Sequence, residues 1–275
     1  MANNRILTIQ DISCVGQCSL TVALPIISAC GIECAVLPSA VLSTHTAGFT
    51  GFTVRDLTDD IPAIAAHWRK EHIDFSAIYT GYLGSTRQID MVADIFDTLC
   101  PEGKKIVDPA MADNGKLYPA FDQAYVDAMK TLCGKADYLL PNITESCFLT
   151  GMEFRAEYDR AYIDQLLEGM VALGAKNIVL TGVSYQPGKT GVVVFENGKY
   201  AYYEHDLMPN SCHGTGDIYA SAFVGALLRG KAAFEAARIA ADYTVSCIEA
   251  TAGDKNHWYG AKFELALPKL INALN

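Results

Sequence analysis

Short apolar runs alternate along the chain with longer stretches in which apolar residues recur every three or four positions. The runs Ile6–Gln10, Cys34–Leu37, Phe75–Thr80, Lys105–Val107, Tyr138–Leu140 and Ile178–Thr181 read as strands. The stretches 19–30, 58–71, 86–99, 119–133, 143–150 and 158–173 carry helical periodicity. Repeated strand–helix alternation predicts an α/β fold: a mostly parallel sheet covered on both faces. Such sheets bind ligands in a crevice at the carboxyl ends of their strands, so the residues after each run are where chemistry is sought. Later, Gly191–Glu196 and Tyr200–Glu204 flank Asn197-Gly198, a tight-hairpin signal. Helices follow near 215–229, 232–250 and 262–273. No linker, charge block or repeat divides the chain, so residues 1–275 read as a single domain with a small flap near 40–56.

Composition narrows the partners. Hydrophobic residues make up 51% of the chain, enough for a large core. Acidic residues number 31 against 21 basic ones, a net charge of −10 that argues against nucleic acid and against a polybasic hold on anionic lipid. The uncharged run from Ile12 to Ile32 is long enough to span a bilayer. Its Ser13, Gly16, Gln17, Ser19, Pro25 and Ser28 instead predict a glycine-containing turn and a buried helix, with no membrane association. The opening Met1-Ala2-Asn3-Asn4-Arg5 lacks the apolar core of a signal peptide, and nine cysteines are an odd number for closed disulfides. Both features predict a cytoplasmic protein with reduced thiols. The spacing of Cys14 and Cys18, and of Cys30 and Cys34, is not that of a zinc ribbon, and core thiols are expected there.

Gly188-Lys189-Thr190 imitates the end of a P-loop. The preceding glycine, Gly182, is one residue out of register, and the apolar run after Gly191 reads as a strand where a P-loop needs a helix. A turn is expected. The stronger chemical signal is Asn210-Ser211-Cys212-His213-Gly214-Thr215-Gly216-Asp217, which leads into the helical run from Ile218. Two glycines around a small polar residue permit a tight turn, and free amides at a helix start attract an anion. Asp217 in or beside the first helical turn is favoured as a carboxylate and can accept a proton; equally, it can serve only as a helix cap. A carboxylate beside an anion-binding turn suits phosphoryl transfer to an alcohol.

The segment from Asn210 to Phe223 resembles the second signature of the ribokinase superfamily of small-molecule kinases. Asp108-Pro109-Ala110-Met111 resembles the Asp-Pro-x-Met segment of its vitamin kinases, and Asp113-Asn114-Gly115-Lys116-Leu117-Tyr118 the lid that follows it in pyridoxal kinases. Pro141-Asn142-Ile143-Thr144-Glu145 is similar to the Asn-x-x-Glu motif. Leu42-Ser43-Thr44-His45-Thr46 and Thr80-Gly81-Tyr82-Leu83-Gly84-Ser85 resemble two further pyridoxal kinase segments, with Thr44 in place of asparagine. The resemblance implies a three-layer α/β/α ribokinase-like sandwich.

It further implies ATP-dependent phosphorylation of the 5′-hydroxymethyl group of pyridoxal, pyridoxine or pyridoxamine. Asp217 would be the catalytic base, with Gly214, Thr215 and Gly216 supplying anion-hole amides. Asp108, Asn142, Glu145 and Thr181 would line the ATP side, and Asp108 and Glu145 would hold magnesium, in part through water. Asp11, Ser13, His45, Thr46 and Tyr82 would face the acceptor. A lid near 111–118 would exclude water, potassium stands as a further candidate cation, and a homodimer is implied, with 40–54 as interface or flap. Asn142 with Glu145 also fits a plain capping box. Asp11-Ile12-Ser13 looks more like the opening of hydroxymethylpyrimidine kinases, as does His213. That leaves a hydroxymethylpyrimidine kinase of thiamine synthesis as one alternative. A non-catalytic B6-vitamer binding protein on a kinase fold is another.

Overall fold

The computed structural model describes residues 5–209 and 212–275. Asn210 and Ser211, the first two residues of the Gly-Thr-Gly-Asp signature, lie outside the described residues, as do Met1–Asn4. The strands are β1 (Arg5–Ser13), β2 (Glu33–Leu42), β3 (Val54–Asp56), β4 (Ala77–Thr80), β5 (Lys104–Val107), β6 (Ala112–Asp113), β7 (Lys116–Leu117), β8 (Tyr138–Leu139), β9 (Asn177–Val183), β10 (Lys189–Glu196) and β11 (Lys199–Asp206). The helices are α1 (Leu20–Ala29), α2 (Ile61–Lys70), α3 (Thr86–Leu99), α4 (Gln123–Cys133), α5 (Ile143–Thr150), α6 (Arg160–Ala172), α7 (Thr215–Leu228), α8 (Ala233–Thr251) and α9 (Phe263–Leu274).

Nine strands form one sheet in the order β11-β10-β9-β8-β5-β4-β1-β2-β3. Pairing is parallel from β2 through β9 and antiparallel at both edges, where β3 joins β2 and the β10–β11 hairpin joins β9. Successive strand residues point to opposite faces. Ile6, Ala77, Tyr79, Ile106 and Val179 accordingly pack with residues of α1, α7, α8 and α9. Leu7, Ile78, Val107, Leu139 and Leu180 pack with residues of α2 to α6 on the other face. These are the three layers the sequence predicts.

Several elements differ in extent. β1 continues to Ser13 and β2 to Leu42, so Asp11 and Ser13 belong to a strand end and not to a loop. At Asp11 the register slips: Gln10 faces Pro38 and Ile12 faces Val41, so Ser39 and Ala40 oppose Asp11 alone, a bulge. The fourth helix starts at Gln123 rather than 119, because the Asp122 side chain accepts from the Tyr125 amide at 3.0 Å and caps it there. Asn197 and Gly198 both take positive φ, 53° and 73°, as the two-residue hairpin requires. Lys189 opens β10 and pairs with Asp206 at 2.7 Å, which removes it from any phosphate role. The uncharged run becomes the end of β1, a turn and α1, and no helix among the described residues is long and apolar enough to cross a membrane.

Ile78 sits fully buried in the middle of the sheet. Ile78→Ala is expected to lower unfolding stability by about 2–5 kcal/mol in urea titration, whereas a loss below about 1 kcal/mol would contradict this core assignment.

Candidate active site

The turn before α7 is shaped by close contact. Gly214 caps the helix with φ of 77°, and a Cβ there would collide with the carbonyl oxygen of Gln17. No other residue fits both the backbone angle and the approach. The first intrahelical bond runs from the Ile218 amide to Gly214 O at 2.9 Å. The amides of Thr215, Gly216 and Asp217 precede it, and none bonds a backbone carbonyl among the described residues. Thr215 turns its hydroxyl to Cys212 O at 3.3 Å. Asp217 is the third residue of α7 and accepts the backbone N–H of Ser19. Ser19 supplies that N–H from a left-handed conformation, φ 53°. Burial, then the charge of Asp108, then that of Asp11 push the Asp217 carboxyl up to about 7, against the opposing pull of the Ser19 amide.

Asp108 follows β5 and Asn142 follows β8, at the carboxyl ends of neighbouring parallel strands. Asp108 accepts the Ala110 amide at 3.0 Å. Asn142 and Glu145 form a full capping box: the Glu145 amide donates to Asn142 Oδ1 at 2.9 Å, and the Asn142 amide to Glu145 Oε2 at 2.8 Å. The other oxygen of Glu145 accepts from the Met111 amide at 3.1 Å, and Asn142 Nδ2 donates to Ala112 O at 2.8 Å. The capping and site readings of this pair are therefore compatible, because the box also anchors the segment after Asp108. Burial pushes Glu145 up to about 7; burial and the nearby charge of Glu145 also raise Asp108. Thr181, near the end of β9, bridges to Asn142 and donates its hydroxyl to Pro141 O at 3.3 Å.

The expected lid is a small antiparallel hairpin, β6–β7, turning through Asn114 and Gly115. It is tied to α5 at its base by Met111 and Ala112 and at its tip, where the Gly115 amide donates to Thr144 Oγ1 at 3.0 Å. Just beyond it stands Tyr118, whose hydroxyl is raised by burial and then by the charges of Glu145, Asp108, Asp113 and Asp217. The sequence marks Tyr118 only as the end of the lid segment; its nearness to these charges depends on the fold.

On the opposite side, Ser13 Oγ donates to Asp11 Oδ2 at 2.9 Å. Burial raises the Asp11 carboxyl, while Ser19 and Ser13 hydrogen bonds and His45 hold it down. Tyr82 follows β4, packs its ring 5.3 Å from Phe121, and is itself raised by burial and by the charge of Asp11. His45 is fixed at both nitrogens. Its Nδ1 accepts from the Ala47 amide at 3.1 Å, so the proton sits on Nε2, which donates to Tyr259 O at 2.7 Å. The ring packs against Phe49 and His213, and a Cβ on Gly16 would strike it. Only its ring surface remains to meet a ligand. Thr46 is exposed beside it. The flap expected near 40–56 is the end of β2, a loop and β3 at the sheet edge. All nine cysteines are free; Cys30 is a core thiol, pushed by burial up to about 12, but Cys18 and Cys34 are only half-buried and Cys14 is exposed, so the expectation of core thiols fails at Cys14.

Comparison with known proteins places these features in a family. The phosphomethylpyrimidine kinase family model matches residues 24–261. A candidate phosphomethylpyrimidine kinase of Bacteroides thetaiotaomicron, crystallised with pyridoxal, is 36% identical with a TM-score of 0.91, covering 97% of this chain and 95% of its own. Pyridoxal kinase from Lactobacillus plantarum is 30% identical with a TM-score of 0.90 and coverage of 98% and 97%. A hydroxymethylpyrimidine/phosphomethylpyrimidine kinase of Bacillus subtilis is 27% identical over 221 residues, 78% of each chain.

The raised carboxyl of Asp217 has a consequence for stability. The folded chain binds that proton more tightly than the unfolded chain, so the stabilisation is full below the ordinary carboxylate range and is lost as pH rises through about 7. Asp217→Asn removes the buried charge, so its gain in Tm over wild type should be larger at pH 8 than at pH 5. A gain that fails to grow with pH would count against the buried-charge account.

Proposed function

Because this chain belongs to the phosphomethylpyrimidine kinase family and is an ATP-dependent kinase, we propose that it transfers the γ-phosphoryl group of ATP to the 5′-hydroxymethyl group of a B6 vitamer. The observation that carries this reading is Asp217, set three residues into α7 behind a turn whose amides bond no backbone carbonyl among the described residues and can meet an anion. With its carboxyl raised to about 7, Asp217 is matched to proton transfer near neutral pH. It takes the hydroxyl proton as the alcohol oxygen attacks phosphorus. The amides of Thr215, Gly216 and Asp217 meet the charge that builds on the moving phosphoryl group.

Asp108, Asn142, Glu145 and Thr181 form the ATP side. Two neighbouring carboxyls raised by burial, Asp108 further by the charge of Glu145, accord with a divalent cation between protein and triphosphate. Magnesium, an ion that takes oxygen ligands and keeps several waters, is the cation proposed here. Asp108 would hold it, with Glu145 acting through water because both its oxygens already accept amides. When bound, the metal neutralises charge on the β- and γ-phosphates.

On the acceptor side, Asp11 and Ser13 would read the polar edge of the ring, while Tyr82, Thr46 and the face of His45 would flank it. Pyridoxal in the Bacteroides relative supports a pyridine acceptor. The Bacillus subtilis relative keeps hydroxymethylpyrimidine as the second reading of the acceptor. We further propose a single kinase domain, working as a cytoplasmic homodimer.

Asp217→Asn is expected to lower kcat with pyridoxal by roughly 10²–10⁴-fold while ATP affinity changes little, as measured by coupled assay and nucleotide titration. Near-normal turnover in the variant would remove Asp217 from the role of base. Rates with each vitamer and with hydroxymethylpyrimidine, at equal concentration, decide the acceptor. A clear preference for the pyrimidine in kcat/KM would overturn the B6 reading.

A further inference from the structure

Gln88 lies in the first turn of α3, yet its side chain is wholly buried. A buried primary amide must find partners for one acceptor and two donor positions, and here each partner belongs to a different segment. Gln88 Oε1 accepts the Gly84 amide at 2.7 Å. Gln88 Nε2 donates to Ser39 O at 3.0 Å and to Thr58 Oγ1 at 2.8 Å.

The three partners are not scattered. Gly84 closes the turn after β4 that carries Tyr82. Ser39 is a residue of the bulge that stands opposite Asp11, and its hydroxyl donates to Tyr82 O at 3.3 Å. Thr58 sits where the flap strand β3 leads into α2, and its amide is held by Asp56 Oδ1 at 2.7 Å. A bulge interrupts the ladder and leaves local backbone groups in need of other partners. The Ser39 carbonyl finds them in the Leu57 amide, at 3.1 Å, and in Gln88. One side-chain amide thus ties the β2 bulge opposite Asp11 to the turn bearing Tyr82, beside the direct bond from the Gly81 amide to Ile9 O at 3.2 Å.

We propose that Gln88 is a positioning residue for the acceptor ring: it fixes the gap between Asp11 and Tyr82 without touching substrate, and has no part in holding ATP. The inference rests on the acceptor-side reading given above. The ATP side is built from β5, β8, β9 and α5, with no hydrogen bond to Gln88. A defect at Gln88 therefore falls on one substrate.

The test is steady-state kinetics of full-length Gln88→Met, which keeps the side-chain length and removes all three bonds. The assay uses whichever of pyridoxal and hydroxymethylpyrimidine the wild type phosphorylates, so failure of the B6 reading shows in the wild type and failure of this inference shows in the variant. The acceptor KM is expected to rise about tenfold, with KM for ATP within about twofold and kcat within about threefold. An unchanged acceptor KM, or a parallel rise for both substrates, overturns the proposal. If Gln88→Met does not fold, Thr58→Val removes one acceptor of the amide at a position outside the site. It should raise the acceptor KM about threefold and leave that for ATP alone; no rise overturns the proposal equally.

Discussion

Four carboxyl groups gather around the carboxyl ends of the parallel strands: Asp11, Asp108, Glu145 and Asp217 are each raised by burial, and three of them further by a neighbouring acid. None takes part in an ion pair among the described residues. Backbone amides carry the compensation instead, from Ser19, Ala110, Met111 and Asn142. Such an arrangement costs stability in the free protein and suits a site that receives its cations and its phosphates together. The parallel sheet is what permits it. Strands β1, β5 and β8 end side by side with β4 between the first two, so acids from distant parts of the chain meet within one cleft.

The two halves of that cleft are held differently. On the side of β5 and β8, the Asn142–Glu145 capping box is shared between α5 and the segment after Asp108, so helix start, strand end and hairpin base form one unit. The β6–β7 hairpin is bonded to α5 at base and tip. Around the start of α7 and the end of β1, the chain is fixed by close approach: Gly214 on the Gln17 carbonyl and Gly16 on the His45 ring. Replacement of either glycine would require backbone movement within reach of the base.

Much of this was legible in the residues. Alternating periodicity located the six inner strands and the helices between them, because burial on both faces of a parallel sheet leaves continuous apolar runs. The extents were less legible. Pro38 hides the continuation of β2, since proline lacks an amide; it is tolerated because β3 pairs only with Ala40–Leu42 and leaves that part of β2 at the sheet edge. The two-residue strands of the β6–β7 hairpin carry no period to detect. Asp217 and its glycines announce themselves because a tight turn before a helix demands small residues. Gln88 does not: a glutamine among the apolar positions of α3 looks like surface until the fold buries it. Tyr118 and the Ser19 amide belong to the same class, defined by long-range packing and by a left-handed backbone that no local pattern encodes.

The central claim is that the amides of residues 215–217 hold the phosphoryl group while Asp217 faces the attacking alcohol. A crystal structure of the protein with magnesium, a non-hydrolysable ATP analogue and pyridoxal tests it most directly. The account predicts the γ-phosphate on those amides and an Asp217 oxygen within about 3 Å of the 5′-hydroxyl. A triphosphate bound away from the start of α7, or a hydroxyl directed to another side chain, would contradict it.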